Sequence, residues 1–215
     1  MCFDTVSSLT AWSVSVLISI YLFYRGQRYD RWNAAFIVSF STIQLLEAGL
    51  WQTINSKGEI IDAKTNEFLT KGILLTLLSQ PLVQTTFATF HISDSQKFTK
   101  TLMSILSFIF LGVLFYGVYR VGSQSFKSEV GKNGHLKWQS NSKSEYFLGG
   151  RFGYLIPILY LMGLILPLLF MEGSLALLII AVLTFIFSML YTRGEEFGSF
   201  WCFTAVAYSI AALFV

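Results

Sequence analysis

Seven long apolar segments dominate this sequence, and their lengths constrain the fold more than any other feature. They occupy residues 5 to 24, 33 to 53, 69 to 90, 101 to 121, 152 to 170, 174 to 192 and 199 to 215. A helix needs about 20 predominantly apolar residues to cross the hydrocarbon core of a bilayer. The sequence therefore predicts an all-α integral membrane protein whose single domain, residues 1 to 215, is a seven-transmembrane-helix bundle.

The overall composition agrees with a membrane location. Hydrophobic residues make up 54% of the chain and charged residues 13%, whereas soluble domains carry about 25% charged residues. The net charge is only +3, and most Lys and Arg lie between the apolar segments, so they indicate membrane topology and no nucleic-acid partner. The lipid bilayer is the expected partner, while the oligomeric state, any metal and any cofactor are left open.

An odd number of spans determines which connections share a membrane face. The amino terminus, the loops at 54 to 68 and 122 to 151 and the link before the last span lie on one face, here called the amino-terminal face. The first link, on the opposite face, carries Arg25, Arg28 and Arg31, whereas the tail ahead of the first span has no Lys or Arg. Charge bias across the first helix usually dominates orientation, and the positive side stays in the cytoplasm. We therefore expect the amino terminus outside, although its face holds more Lys and Arg in total, spread over more chain.

The loop between the fourth and fifth spans contains a strong turn signal. Within FKSEVGKNGHLKWQS, Asn133-Gly134 lies between two short segments of mixed polar and apolar residues. The Asn-Gly pair favours the positive φ angles that tight hairpin turns require. The sequence therefore predicts a small extramembrane β-hairpin in the loop 122 to 151, lying over the amino-terminal face.

The second span carries an acidic residue, Glu47, inside its apolar run. An acidic side chain at the centre of a membrane helix costs roughly 2.5 to 3.5 kcal/mol on insertion scales, so such a residue indicates a functional site. Gln44, Glu47 and Trp51 are spaced i, i+3 and i+7, which places them on one stripe of the helix. The structural alternative is an acid that ties the second span to Gln80 or Gln84 of the third.

Span parity predicts where these side chains meet. Gln80 and Gln84 are four residues apart and face the same way, and Trp201 begins the last span at the amino-terminal face. We expect a polar cavity that opens to this face, with Glu47 and Gln80 at its floor, Trp51 and Trp201 in its walls and the hairpin loop as its roof. Alternatively, the two tryptophans belong to the aromatic belt at the membrane interface.

Two cysteines, Cys2 and Cys202, are both predicted at the amino-terminal face. Such a thiol pair can bind a metal or be acylated, and it can form a disulfide if the Cα atoms come within about 7 Å. Two buried, inert thiols are the alternative. Motifs for zinc hydrolysis, serine hydrolysis or phosphate binding are absent from the sequence, so no catalytic residue is predicted.

Four short patches carry a family resemblance. They are MCFDTVSS at the start, QLLEAGLW in the second span, GHLKW in the hairpin loop and SFWCF in the last span. They resemble an uncharacterised family of small polytopic proteins of bacteria and large DNA viruses, whose members begin Met-Cys-Phe-Ser, carry Gln and Glu followed by Trp in the second span, and end in a Trp-Cys-Phe span. Asp4 stands here in place of that Ser. The resemblance singles out Cys2, Gln44, Glu47, Trp51, His135, Trp138, Trp201 and Cys202.

Three functions are compatible with these residues. The first is binding of a small molecule or ion in the cavity, as a transporter, channel or sensor with Glu47 as the central group. The second is a membrane-embedded thiol- or lipid-modifying enzyme that uses Cys2 or Cys202, with His135 as the base. The third is a structural or assembly protein, which predicts tight packing and no cavity near Glu47.

Overall fold

A computed structural model of the protein describes residues 4 to 140, 155 to 192 and 196 to 215. Eight α-helices are found in these ranges. They are α1 (Thr5–Arg25), α2 (Asp30–Gln52), α3 (Ala63–His91), α4 (Lys97–Ser123), α5 (Leu155–Ile165), α6 (Leu175–Thr192), α7 (Phe197–Thr204) and α8 (Val206–Ala211). Six helical stretches are long and apolar enough to cross a membrane, with α7, α8 and the turn after them counted as one, and α5 with its extension is a shorter apolar helix. The predicted bundle of seven membrane helices is confirmed.

Local capping explains where two of the long helices begin. Asp4 caps α1, because its side chain accepts the Ser7 N–H over 2.8 Å. Asp62 caps α3 in the same way through the Thr65 N–H, at 3.1 Å. The third helix therefore begins at Ala63, six residues before the apolar segment that was predicted from residue 69.

The fifth and last spans are not continuous α-helices. After α5 the chain continues as a 3₁₀ helix, Leu166–Phe170, whose first turn contains Pro167. Proline fits this position because its missing N–H is not needed in a first turn. The last span is interrupted by a turn at Ala205 between α7 and α8, and it ends in a 3₁₀ turn, Ala212–Phe214. The start of the fifth span predicted at 152 to 154 lies outside the described residues.

The predicted hairpin is present. Strands β1 (Phe126–Val130) and β2 (Leu136–Ser140) pair in antiparallel register, with Val130 opposite Leu136. The connection is closed by the Gly131 N–H, which donates to the His135 carbonyl over 2.8 Å, and Gly134 adopts a positive φ of 80°. The rest of the loop, from residue 141, lies outside the described residues.

Two buried apolar clusters fill the bundle. The larger one includes Trp32, Ile37 and Leu177, and the smaller one, beneath the hairpin, includes Ile43 and Leu136. Large apolar side chains also cover the outside of several helices, where a soluble protein would carry polar groups. These include Tyr24, Phe108, Phe115, Leu183 and Leu190. The distribution is that of a polytopic membrane protein with a lipid-facing surface.

Opposite the hairpin, the bundle is closed by arginines of the first link. Arg25 pairs with Asp30 over 2.6 Å and donates to the carbonyl of Leu213 over 2.6 Å, so it joins α1, α2 and the last span. Its side chain is 17% exposed and that of Asp30 only 3%. Arg28 forms an ion pair with Glu172 in the link before α6. Two of the three arginines that predict the orientation are therefore also structural.

Candidate functional site

Glu47 is buried inside α2, with 2% of its surface exposed. Its Oε2 accepts the Gln44 Nε2–H over 3.0 Å, and its Oε1 accepts the indole Nε1–H of Trp138 over 3.1 Å. The Ser199 side chain also lies close enough to interact with the carboxyl. Among the described residues, no Lys or Arg pairs with this carboxyl. The group is held by neutral hydrogen-bond donors from three different elements.

The position of Trp138 follows from close packing of β2 on α7. A Cβ atom at Gly198 would lie 2.6 Å from Cζ3 of Trp138, so only glycine lets the indole lie this close to the helix. Gln44 needs no such arrangement, because it precedes Glu47 by about one helical turn on α2.

A fully buried amide clamps the hairpin to α3. Asn66 accepts the Ser128 N–H over 2.9 Å and donates to the Ser128 carbonyl over 3.2 Å. It also donates to the Thr53 hydroxyl over 3.0 Å, while Thr70 and Ser128 share a hydroxyl hydrogen bond of 2.8 Å. These residues were missed in the sequence, because Asn66 was assigned to the loop before the third span and shows no periodic pattern there.

The turn of the hairpin is held by Glu196, at the start of α7. Its carboxylate accepts the backbone N–H of Asn133 over 3.0 Å and that of His135 over 3.2 Å. A Cβ atom at Gly131 would overlap this carboxylate, so a larger residue there would displace the Glu196 side chain from the turn. The hairpin is thus attached to α2, α3 and α7, and these elements meet at one end of the bundle as span parity predicts.

His135 is buried beneath the turn, with 1% of its surface exposed. Its ring packs edge-on against Phe200, with centroids 4.8 Å apart, and against Tyr191 at 6.0 Å. Burial lowers the pKa of the imidazole below its ordinary value of 6.5, although the negative charge of Glu196 acts in the opposite direction. The neutral ring is therefore favoured, and its suggested role as a base stays a prediction.

A cavity of about 50 Å³ lies between α2, α3, α5, α6 and the last span. Nearly all of its wall is apolar, and the residues that line it include Gln80, Thr184, Trp201, Cys202 and Tyr208. Gln80 and Trp201 line this cavity, whereas Glu47 and Trp51 are not among the described residues of its wall.

Gln80 and Gln84 make separate contacts. Gln80 accepts a hydrogen bond from the Tyr160 hydroxyl through Oε1, and its Nε2 has no hydrogen-bond partner among the described residues. Gln84 instead accepts the Trp32 indole N–H over 2.8 Å, one turn farther from the amino-terminal face. Neither amide ties α3 to Glu47 in the way the structural alternative supposes, since Gln44 and Trp138 hold the carboxyl.

The remaining predicted residues lie nearby. Trp51 packs against the smaller apolar cluster, which also contains Cys202. Cys202 is 5% exposed and lies close enough to Glu47 for an electrostatic interaction. Cys2 lies outside the described residues, so the proposed pairing of the two thiols stays a prediction. Within the described ranges, no group of three or more His, Cys, Asp or Glu side chains is arranged to hold a metal ion.

Comparison with known proteins found no relative of this chain. No protein-family model matches the chain, and neither a curated protein nor a solved structure matches it significantly.

Proposed function

We propose that this membrane protein binds a proton, a small cation or a small cationic molecule at Glu47 and acts as a transporter, channel or sensor. The observation that carries the proposal is the buried carboxyl of Glu47, held only by neutral donors among the described residues. An ionised carboxylate within a membrane needs a compensating charge. Gln44 and Trp138 provide hydrogen bonds but no charge, so a bound cation or proton would supply what they lack.

The hairpin supports a link between this site and the aqueous phase. Trp138 bonds directly to Glu47 and belongs to a hairpin that is also held by Asn66 and Glu196. A change of charge at Glu47 alters the acceptor strength of its oxygen and hence the hold on Trp138. A sensor needs such a connection between the site where the charge changes and an element that responds to it.

The family resemblance and the amino-terminus-outside orientation remain part of this proposal. The resemblance selects Gln44, Glu47 and Trp138 together, and these are the side chains that meet at the carboxyl. The thiol-enzyme alternative draws on Cys202, which lies close enough to Glu47 for an electrostatic interaction, and it makes a different prediction, a covalent adduct on that sulfur.

Proton binding at Glu47 can be tested on protein in lipid nanodiscs. We expect an acid–base titration of the wild type to show one more titrating group than Glu47→Gln, which preserves the shape of the side chain and one of its two acceptor oxygens. The matched control is Glu59→Gln, in the exposed loop after α2. Identical titration curves for the wild type and Glu47→Gln would contradict proton binding at Glu47.

A second measurement needs no variant. Dicyclohexylcarbodiimide, an apolar reagent for carboxyl groups, should label Glu47 of the wild-type protein, and peptide mass spectrometry should locate the adduct. Sodium, potassium or choline added as probe cations should slow the labelling if one of them binds there. Unlabelled Glu47 would contradict access to the site, and labelling that no probe cation slows would restrict the ligand to the proton.

A further inference from the structure

The Gln80 side-chain amide has a hydrogen-bond partner for its oxygen but none for its nitrogen among the described residues. Its Oε1 accepts from the Tyr160 hydroxyl, which holds the amide in place and presents Nε2 at the opposite end. Gln80 is 3% exposed, and Nε2 has no hydrogen-bond partner among the described residues. Buried amide N–H groups in proteins are almost always bonded, to protein or to ordered water. This donor therefore indicates a missing acceptor on the side of the cavity.

The cavity has room for a very small acceptor. Its volume of about 50 Å³ exceeds the minimum that a single water molecule requires, and liquid water occupies about 30 Å³ per molecule. Pockets for organic ligands usually measure about 300 to 1,000 Å³, so this cavity is small for such a ligand. The described wall residues include no Lys, Arg or His, which disfavours an inorganic anion, because a buried anion needs a compensating charge.

We propose that this cavity is a binding site for one or two water molecules, the first of which accepts the Gln80 Nε2–H. Thr184, Cys202 and Tyr208 also line the cavity and carry groups that can bond to the water. The hydroxyls of Thr184 and Tyr208 donate to the Ile180 carbonyl and to Asn33 Oδ1, so their oxygens are left as acceptors for the protons of the water. The unbonded Gln80 donor in the wall distinguishes this cavity from purely apolar cavities, which stay dry.

The water site places hydration next to the membrane carboxyl. Cys202 lines the cavity and also interacts with Glu47, so it lies between the two. Water in the cavity would then give Glu47 a neighbouring wet region on the side away from the hairpin, through which a proton reaches or leaves the carboxyl. This second step rests on the proposed function, whereas the water site itself does not.

The water site can be tested on the wild-type protein alone. A density map at a resolution that shows ordered water should contain a peak within hydrogen-bonding distance of Gln80 Nε2. Xenon under pressure should stay out of the cavity, because xenon enters dry apolar cavities and does not displace bonded water. A map that shows ordered water elsewhere and none at Nε2, or xenon bound in the wild-type cavity, would overturn the proposal.

A pair of variants adds a second criterion. Gln80→Met removes the donor with little change in volume, so the water peak should disappear and xenon should enter. The control, Ser79→Ala, changes the neighbouring residue, whose hydroxyl bonds only within α3, and should leave the peak unchanged. The titration of Glu47 separates the two proposals. If the water peak is present but Glu47 does not titrate, the water site stands and its part in proton transfer to Glu47 is rejected. If Glu47 titrates but no water peak is present, only the water site is rejected.

Discussion

Trp138 and Glu47 are 91 residues apart in the chain, yet the indole Nε1–H of one donates to the Oε1 of the other over 3.1 Å. One residue belongs to an extramembrane strand and the other to a membrane helix. Their contact makes the hairpin a part of the buried site.

Trp138→Phe should destabilise the protein by about 1 to 3 kcal/mol, because it removes a donor and leaves Glu47 Oε1 buried with fewer partners. The phenyl ring retains much of the packing against Gly198. The free energy of unfolding, measured by denaturant titration in detergent micelles, gives the loss. The double variant with Glu47→Gln should lose less than the sum of the single losses, since the two side chains interact directly. Additive losses would show that the hydrogen bond contributes nothing.

Gly198→Ala should displace the Trp138 indole, because the added Cβ would lie 2.6 Å from its ring. Overpacking of this kind costs about 1 to 3 kcal/mol. The matched control is Gly112→Ala on α4, where no atom lies within 4 Å of the added Cβ. That control should be neutral or stabilising by up to about 1 kcal/mol, as expected for alanine in a helix. Equal unfolding free energies for the two variants would argue against close packing of β2 on α7.

Asn66→Leu should release the hairpin from α3. The substitution leaves the N–H and carbonyl of Ser128 without their side-chain partner, and we expect a loss of about 1 to 3 kcal/mol. Hydrogen exchange of the hairpin amides should accelerate more than exchange within the membrane helices. Gln52→Leu, an exposed amide at the end of α2, is the control and should change stability by less than about 0.5 kcal/mol. Unchanged hairpin exchange in Asn66→Leu would show that Asn66 is not a clamp.

Docking of the hairpin should weaken as the pH falls through the titration of His135. Burial lowers the pKa of this imidazole below 6.5 in the folded protein. Between that ordinary value and the lowered one, the undocked hairpin binds more protons, so acid favours undocking. Docking should be unaffected above an ordinary histidine pKa of about 6.5 and should weaken as the pH falls below it, until the lowered pKa of the buried ring is passed.

Hydrogen exchange of the hairpin amides, corrected for the intrinsic pH dependence of exchange, measures this effect. His135→Leu should remove most of the pH dependence, whereas His91→Leu at the opposite end of the bundle should preserve it. The same pH dependence in wild type and His135→Leu would assign it to another group.

The orientation can be determined by labelling of engineered cysteines in intact cells. A membrane-impermeant maleimide should react from outside with Lys132→Cys, at the exposed hairpin turn, and not with Ser95→Cys, in the exposed link between α3 and α4. Cys202 is buried and should contribute little background, and Cys2→Ser in both variants removes the other native thiol. The opposite labelling pattern would place the amino terminus in the cytoplasm.

Much of the fold could be predicted because bilayer thickness sets helix length, and apolar runs of that length are visible without any tertiary information. The hairpin could also be predicted from the sequence, because Asn133-Gly134 encodes its turn locally. The start of α3 was predicted too late because its first turns, after Asp62, are polar and project beyond the apolar segment.

The candidate site was only partly predictable. The contact of Gln44 with Glu47 follows from helical spacing on one element. The separate contacts of Gln80 with Tyr160 and of Gln84 with Trp32 depend on how α3 packs against its neighbours, and no periodic pattern encodes that packing. Asn66 was missed for the same reason, since its partners come from residues far away in the chain.

The attachment of one hairpin to three helices has a practical consequence. Lys132 at its turn faces water, while the same hairpin reaches Glu47 through Trp138. A fluorescent probe on residue 132 would therefore report, from the aqueous side, on events at a carboxyl that soluble reagents do not reach.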